Sequence, residues 1–334
     1  MILDQSCFYP TSGGQQNDTG KLTIEGIDKV YNVIDCIKVG KCVLHKLDEE
    51  VPADIELIGK TVHGEVDLER RMQLMAHHTG THIIFASCRK VLGPHIWQAG
   101  AKKTEKKAHL DITHYQSLTK EQEKAIENQA NRLINSSINI SKGFMDKAEA
   151  EREYGFSLYQ GGIVPGNSLR VVSIEGVDNE ACCGTHADNT SEVGWVRLVK
   201  SSRISDGIVR LEYVAQERAI EVLNTEAGIL NDLCDAWGVN QEQIKDTALR
   251  FFNDSKHLKV ANEKQEKKIL ELQVKSVLRD GANKTFYCKS EHDSPTLYVA
   301  QLPQYAEEFK NQGKGIVFLG SNFVVGLFGN PETI

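Results

Sequence analysis

Two widely separated pairs of metal-type donors constrain this chain more than any other feature: His78 with His82, and Cys182 with His186. Residues four apart on a helix lie one above the other on the same face, so His78 and His82 can offer two imidazoles to one ion. Cys182 and His186, on a turn, add a thiolate and a third imidazole. Two nitrogen donors on a rigid helix plus a sulfur and a nitrogen complete the tetrahedron that Zn²⁺ favours. Either pair alone is an ordinary accident of sequence; together they require two distant segments to fold onto one point. His77 lies about 100° further around the helix and is not expected to share the ion. Cys183 reads as a packed or outer-lying thiol.

The local patterns sort the chain into elements. Short apolar runs at 21–27, 29–39 and 41–47 alternate with Gly, Asp and Asn breakers, the signature of antiparallel strands, and predict a small N-terminal β-barrel. From Asp67 the period changes: Leu68, Met72, Met75, Thr79 and Ile83 recur at helical spacing until Gly93-Pro94 supplies the stop. Two strands are expected between Trp97 and His114, a capped helix from Ser117 or Thr119 to Ile134, and a short helix over Lys147–Tyr154. Strands follow at 169–174, 195–199 and 208–214, which makes this part α+β. Residues 216–278 turn helical and charged, with Ile244, Phe251, Leu258, Gln265 and Leu272 spaced by sevens, the pattern of a helical hairpin or short coiled coil. Strand-like patches at 296–301, 316–319 and 323–328 predict a small C-terminal α/β unit. The expected layout is α+β: residues 1–64 a partial barrel, 65–215 the zinc-bearing domain, 216–280 a helical linker and 281–334 a terminal globular unit.

Composition bounds the function. With 40% hydrophobic and 25% charged residues the chain has an ordinary globular make-up. It holds no run of roughly 18 apolar residues and no basic-then-apolar leader. The expectation is a cytoplasmic protein without disulfides, its eight cysteines serving as ligands or core. A net charge of -7 argues against a surface that is basic throughout, so contacts to nucleic acid must come from local clusters such as Lys102 and Lys103, or the stretch holding Arg203.

The residues around the donor pairs resemble the editing domain of alanyl-tRNA synthetases and their free-standing AlaX-type relatives. His78-Thr-Gly-Thr-His82 is similar to that family's HxxxH zinc motif, and Cys182-Cys-Gly-Thr-His186 to its CxxxH motif. Phe8-Tyr-Pro-Thr-Ser-Gly-Gly-Gln15, with Asp18-Thr-Gly20, is similar to the glycine-rich segment before the editing core. Leu92-Gly-Pro-His-Ile-Trp-Gln-Ala-Gly100, Leu110-Asp-Ile-Thr-His-Tyr115, Tyr159-Gln-Gly-Gly162 and Pro165-Gly166 resemble the archaeal form. The likeness is dense over residues 1–215 and weaker beyond, where it suggests a helical linker and the start of a C-Ala domain. Two positions depart from the pattern: the family more often has Ala where Gly80 stands and Gly where Cys183 stands.

The resemblance implies zinc-dependent hydrolysis of Ser-tRNA(Ala) and Gly-tRNA(Ala), with tRNA(Ala) as partner. No stretch carries the class II ATP-binding motifs, so the chain is expected not to activate alanine alone. It reads as the C-terminal part of an alanine–tRNA ligase, supplied as a separate subunit or a gene fragment, with an AlaX-type trans-editing protein as the alternative. Dimerisation through the C-terminal region is a further expectation. Gln98 matches the family's pocket glutamine and is the candidate partner for a seryl hydroxyl, with Thr81 as a second polar candidate. Two other classes compete: a tRNA-binding module with a purely structural zinc, and a zinc peptidase. The peptidase needs a Glu after the first His, where Thr79 stands.

Overall fold

A computed structural model describes residues 1–329 except 53–55, 160, 161, 163, 165, 282–284 and 291–293. Of the segments that carry the family likeness, Gln160, Gly161 and Pro165 lie outside the described residues. The chain divides into two compact units, Met1–Ile229 and Leu230–Ile334. No helix among the described residues is long and apolar enough to cross a membrane.

The first unit opens with four antiparallel strands: β1 (Gly20–Ile24), β2 (Val30–Val39), β3 (Cys42–Leu47) and β4 (Val62–Val66). They form a sheet in the order β3-β2-β1-β4. Among the described residues the predicted barrel is not closed: β3 pairs beyond β2 only with Ile2, through an isolated bridge, and β3 and β4 do not pair, since four short strands cannot curl far enough to meet. Alternation along β2 buries Tyr31 and Val33, then a register shift between Val33 and Asp35 changes the parity and buries Cys36 instead.

α1 (Leu68–Leu92) begins where the spacing predicts, with Asp67 as N-cap accepting from the Arg70 backbone, and ends at Gly93. β5 (Gln98–Lys103), β6 (Ala108–Thr113) and α2 (Lys120–Asn135) follow. Thr119 and Gln122 form the capping box that opens α2. Next come β7 (Ile140–Asp146), α3 (Lys147–Tyr154), β8 (Ser168–Ile174), β9 (Asp178–Ala181), β10 (Val196–Ser205) and β11 (Ile208–Ala215). β7 and β9 carry no clear period of two in the sequence, being seven and four residues of mixed polarity. The order β10-β11-β6-β5 makes one sheet and β7-β8-β9 another. Ile83, Ile84 and Phe85 of α1, Ile126 of α2, and Leu110, Ile112, Val209 and Leu211 of the larger sheet share the principal core. α1 is therefore sunk into the unit, and its buried residues run almost unbroken from Gln73 to Cys88. They include six consecutive residues, His77 to His82, that are polar or glycine. A buried polar side chain without a partner is costly, so this stretch is where bonding partners must be sought.

α4 (Glu217–Trp237) contains the division between the units, and α5 (Ile244–Arg279) is a long helix, as the charged run suggests. Its expected seam is not buried: Phe251, Leu258 and Leu272 are 46%, 69% and 56% exposed, whereas Leu270, Val274 and Val277 are buried. Those three pack with Tyr298, Leu302, Phe309, Ile316 and Phe318, so the sheet that meets α5, not the heptad count, selects its apolar face. That sheet is β12 (Thr285–Lys289), parallel to β13 (Gly315–Leu319), which is antiparallel to β14 (Val324–Phe328). Between them lie α6 (Thr296–Gln301) and α7 (Ala306–Gln312). Residues 296–301 were expected as a strand; Tyr298 and Leu302 are both buried, four apart, which is helical spacing a six-residue apolar run does not disclose by itself.

Candidate metal centre

The four predicted donors meet. One ligand atom from each of His78, His82, Cys182 and His186 lies within 4.8 Å of the others. The Cys182 sulfur is 3.4 Å from Nε2 of His78 and 3.3 Å from Nε2 of His186. A tetrahedral ion with Zn–N of about 2.0 Å and Zn–S of about 2.3 Å sets N···S edges near 3.5 Å, so the donor set fits a small divalent ion. The three rings converge at mutual tilts, with centroids 4.4 to 5.8 Å apart.

Strand parity decides which of the adjacent cysteines faces inward. Asp178 and Glu180 are buried on one face of β9, Cys182 continues that face past the strand's end, and Cys183 turns out and is exposed. The Cys182 backbone still donates to the Arg170 carbonyl, 3.0 Å, extending the pairing with β8. The loop is then pinned from β8 and β7: the Arg170 guanidinium donates to the carbonyls of Cys182 and Gly184, and the Lys142 amine to that of His186. Gly184 is obligatory here, because a Cβ at this position would land inside the His78 ring.

Each imidazole also turns its Nδ1 toward a polar side chain. Nδ1 of His78 donates to Oε1 of Gln15 at 2.6 Å, and the Gln15 amide reaches Thr185 Oγ1 at 2.7 Å. Nδ1 of His186 is 3.3 Å from the Thr79 hydroxyl, which also accepts from the Ala187 backbone. Nδ1 of His82 faces Glu180 at 3.2 Å and Asp178 at 3.5 Å. A ring whose Nδ1 carries the hydrogen presents its Nε2 lone pair, and in His78 and His186 Nε2 is the atom beside the sulfur. Burial holds His78 and His186 well below the usual imidazole range, in the neutral form a metal requires. Burial opposes a charge on His82 as well, but Glu180 and Asp178 hold it well above that range, while burial pushes the Glu180 carboxyl above its own ordinary range. Burial would raise the Cys182 thiol, yet the neighbouring His82 brings it below its ordinary value.

Gln15 reaches the site because the glycine-rich segment docks on the edge of β5. The Lys103 backbone donates to Gly14 and accepts from Gln16, 2.7 and 2.9 Å, and a Cβ on Gly14 would collide with the Ala101 carbonyl. Lys103, expected on a tRNA-facing surface, is turned inward instead: only 3% exposed, it donates to the Gly13 carbonyl at 2.9 Å, and burial lowers its pKa. Strand alternation is the reason, since Lys102 is exposed and Lys103 follows it. Arg203 is exposed in β10 and bonds Asp206. Thr81 is buried with its hydroxyl 2.9 Å from the His77 carbonyl and 2.6 Å from the Tyr213 hydroxyl. Gln98 is half-buried at the start of β5, opposite Ile112. The spacing of the donors gives no sign of Gln15, Thr79, Asp178 or Glu180. Gln15 lay inside a motif noted only for its glycines, and Glu180 carried a usable signal, the same parity as Cys182.

Residues 169–212 match the family described as threonyl and alanyl tRNA synthetase second additional domain, and residues 1–70 match tRNA synthetases class II (A). Alanine–tRNA ligase of Methanocella arvoryzae is 41% identical over 98% of this chain and 36% of its own length. That of Methanopyrus kandleri is 41% identical over 96% of this chain and 34% of its own, and that of Methanococcus maripaludis 42% over 84% and 30%. The chain thus spans about a third of the length of the curated relatives it matches.

Proposed function

This chain is a relative of the alanine–tRNA ligases along nearly all of its length, and from that premise we propose that it hydrolyses Ser-tRNA(Ala) and Gly-tRNA(Ala) at a Zn²⁺ held by His78, His82, Cys182 and His186. The observation that carries the reading is the convergence of those four donors, with every histidine's Nδ1 turned to a separate partner. When bound, the ion supplies Lewis-acid chemistry suited to an activated ester: orientation of the substrate's amino or carbonyl group, or a bound water made acidic. The chain's own residues do the rest. Gln15 and Thr79 hold the rings of His78 and His186 in the tautomer that donates Nε2. Burial of the donors keeps bulk water from the centre. Gln98 offers an amide to the seryl hydroxyl, so that alanine, lacking that hydroxyl, leaves a polar group unpaired. Lys102 and Arg203 contact the tRNA backbone; Lys103 serves the glycine-rich turn instead. Aminoacylation is then supplied by another polypeptide or another segment.

A second reading follows from the same donor set: four protein ligands close a tetrahedron, as in structural sites, which suits a tRNA-docking module without activity. Deacylation of Ser-, Gly- and Ala-tRNA(Ala), with and without chelator, separates the two. Wild type should release serine and glycine but spare alanine. Cys182→Ala should lose the ion and lower Ser-tRNA(Ala) hydrolysis by at least a hundredfold (~10², the scale of a lost catalytic group), and Gln98→Ala should narrow the preference for serine over alanine. Undiminished hydrolysis by Cys182→Ala removes the enzyme reading.

A further inference from the structure

Three buried polar atoms next to the donor cluster lack a hydrogen bond of good geometry among the described residues: Nδ1 of His82, Oδ2 of Asp178 and Oε1 of Glu180. The three side chains are 3%, 8% and 4% exposed, and their ligand-type atoms lie within 4.8 Å of one another. Taken alone, an imidazole with two carboxylates could be a second cation site. His82 belongs to both groups, however, and two ions would have to share one deprotonated ring. The geometry favours a simpler arrangement. Nδ1 of His82 stands 3.2 Å from Oε2 of Glu180, within hydrogen-bond distance, while Asp178 at 3.5 Å is at the limit. β9 delivers both carboxylates and Cys182 from one strand face.

We propose that Glu180, backed by Asp178, is the positioning residue of the centre: its carboxylate takes the Nδ1 hydrogen of His82, fixing the ring's tautomer and aiming Nε2 at the point shared with Cys182. This rests on the reading of the four donors as a metal site and adds what sets its affinity. A carboxylate behind a ligating imidazole makes the ring a better donor, and losing such a partner typically weakens metal binding ten- to a hundredfold. Gln15 and Thr79 give neutral oxygens to the other two rings; among the described residues only His82 is given a carboxylate, so its replacement should have the largest effect of the three.

The test uses the full chain and Zn²⁺ alone, titrated against a chromophoric chelator, with absorption of the Co²⁺-loaded protein and the ring-nitrogen NMR spectrum of the metal-free protein as further readouts. Glu180→Leu should weaken Zn²⁺ about ten- to a hundredfold, shift the Co²⁺ visible bands and abolish the Nδ1–H signal of His82. Glu180→Gln, which keeps an acceptor oxygen, should recover most of the affinity. Asp178→Asn should cost only a few-fold. Glu180→Leu binding Zn²⁺ like wild type overturns the proposal, as does a wild-type stoichiometry of two ions that falls to one in Glu180→Leu. Should Glu180→Leu fail to fold, the Nδ1–H signal of wild type decides, its absence overturning the proposal. Wild type that binds no Zn²⁺ at all defeats the metal-site reading itself, a distinguishable result.

Discussion

At the scale of single residues, the centre depends on positions that are not donors. Gly184 leaves the volume that the His78 ring occupies. Gly184→Ala should therefore displace either the ring or the loop and weaken Zn²⁺ binding at least tenfold (~10-fold, as when a ligand's support is lost), measured by the same chelator competition. An affinity equal to wild type would show that the loop yields easily. The donor residues themselves were legible from spacing, because i, i+4 geometry on a helix is local. Their partners were not: Gln15 and His78 are separated by 63 positions, Thr79 and His186 by 107, and no periodicity reports a contact at that range.

At the scale of elements, α1 combines a demanding site with an avoidable weakness. Gly80 lies mid-helix, where glycine costs roughly 1 kcal/mol relative to alanine. A Cβ there would meet Tyr213 at 3.4 Å and Val196 at 3.7 Å, ordinary contacts. Gly80→Ala should thus raise stability by about 0.5–1 kcal/mol, read from the midpoint of denaturant unfolding, with metal affinity unchanged. A lowered midpoint would mean that the Tyr213 ring cannot accommodate the methyl. The start and end of α1, the capping box of α2 and all of α3 were readable because caps and helical periods are written in neighbouring residues. β7 and β9 were not, and neither was α6, since short segments take their form from the surfaces they pack on.

At the scale of the folded unit, pH reports on how tightly α1 is enclosed. His77 is fully buried, its Nδ1 2.7 Å from the Thr104 carbonyl and its Nε2 3.2 Å from the Gln73 amide, which in turn donates to Ala215. Burial pushes its pKa down to about 4. The folded form therefore binds this proton less readily than the unfolded chain, so the contribution is complete above pH ~6.5 and is lost as pH falls from there toward about 4, amounting to about 3 kcal/mol. Unfolding followed through Trp97 and Trp195 in a Trp237→Phe background should show it, and His77→Gln should make the slope in that window shallower by nearly one proton. Identical slopes would place the proton uptake elsewhere. The sequence by itself determined the α+β class, the helix that carries His78 and His82, the four side chains that converge and the kinship that their motifs imply, because each is encoded in residues a few positions apart. Tertiary structure alone decided that the N-terminal sheet stays open, which face of α5 is buried, that Lys103 turns inward, and which atoms stand behind each imidazole. Those outcomes depend on surfaces brought together from distant parts of the chain, where burial and hydrogen-bond satisfaction, not local period, select among the conformations each segment could adopt.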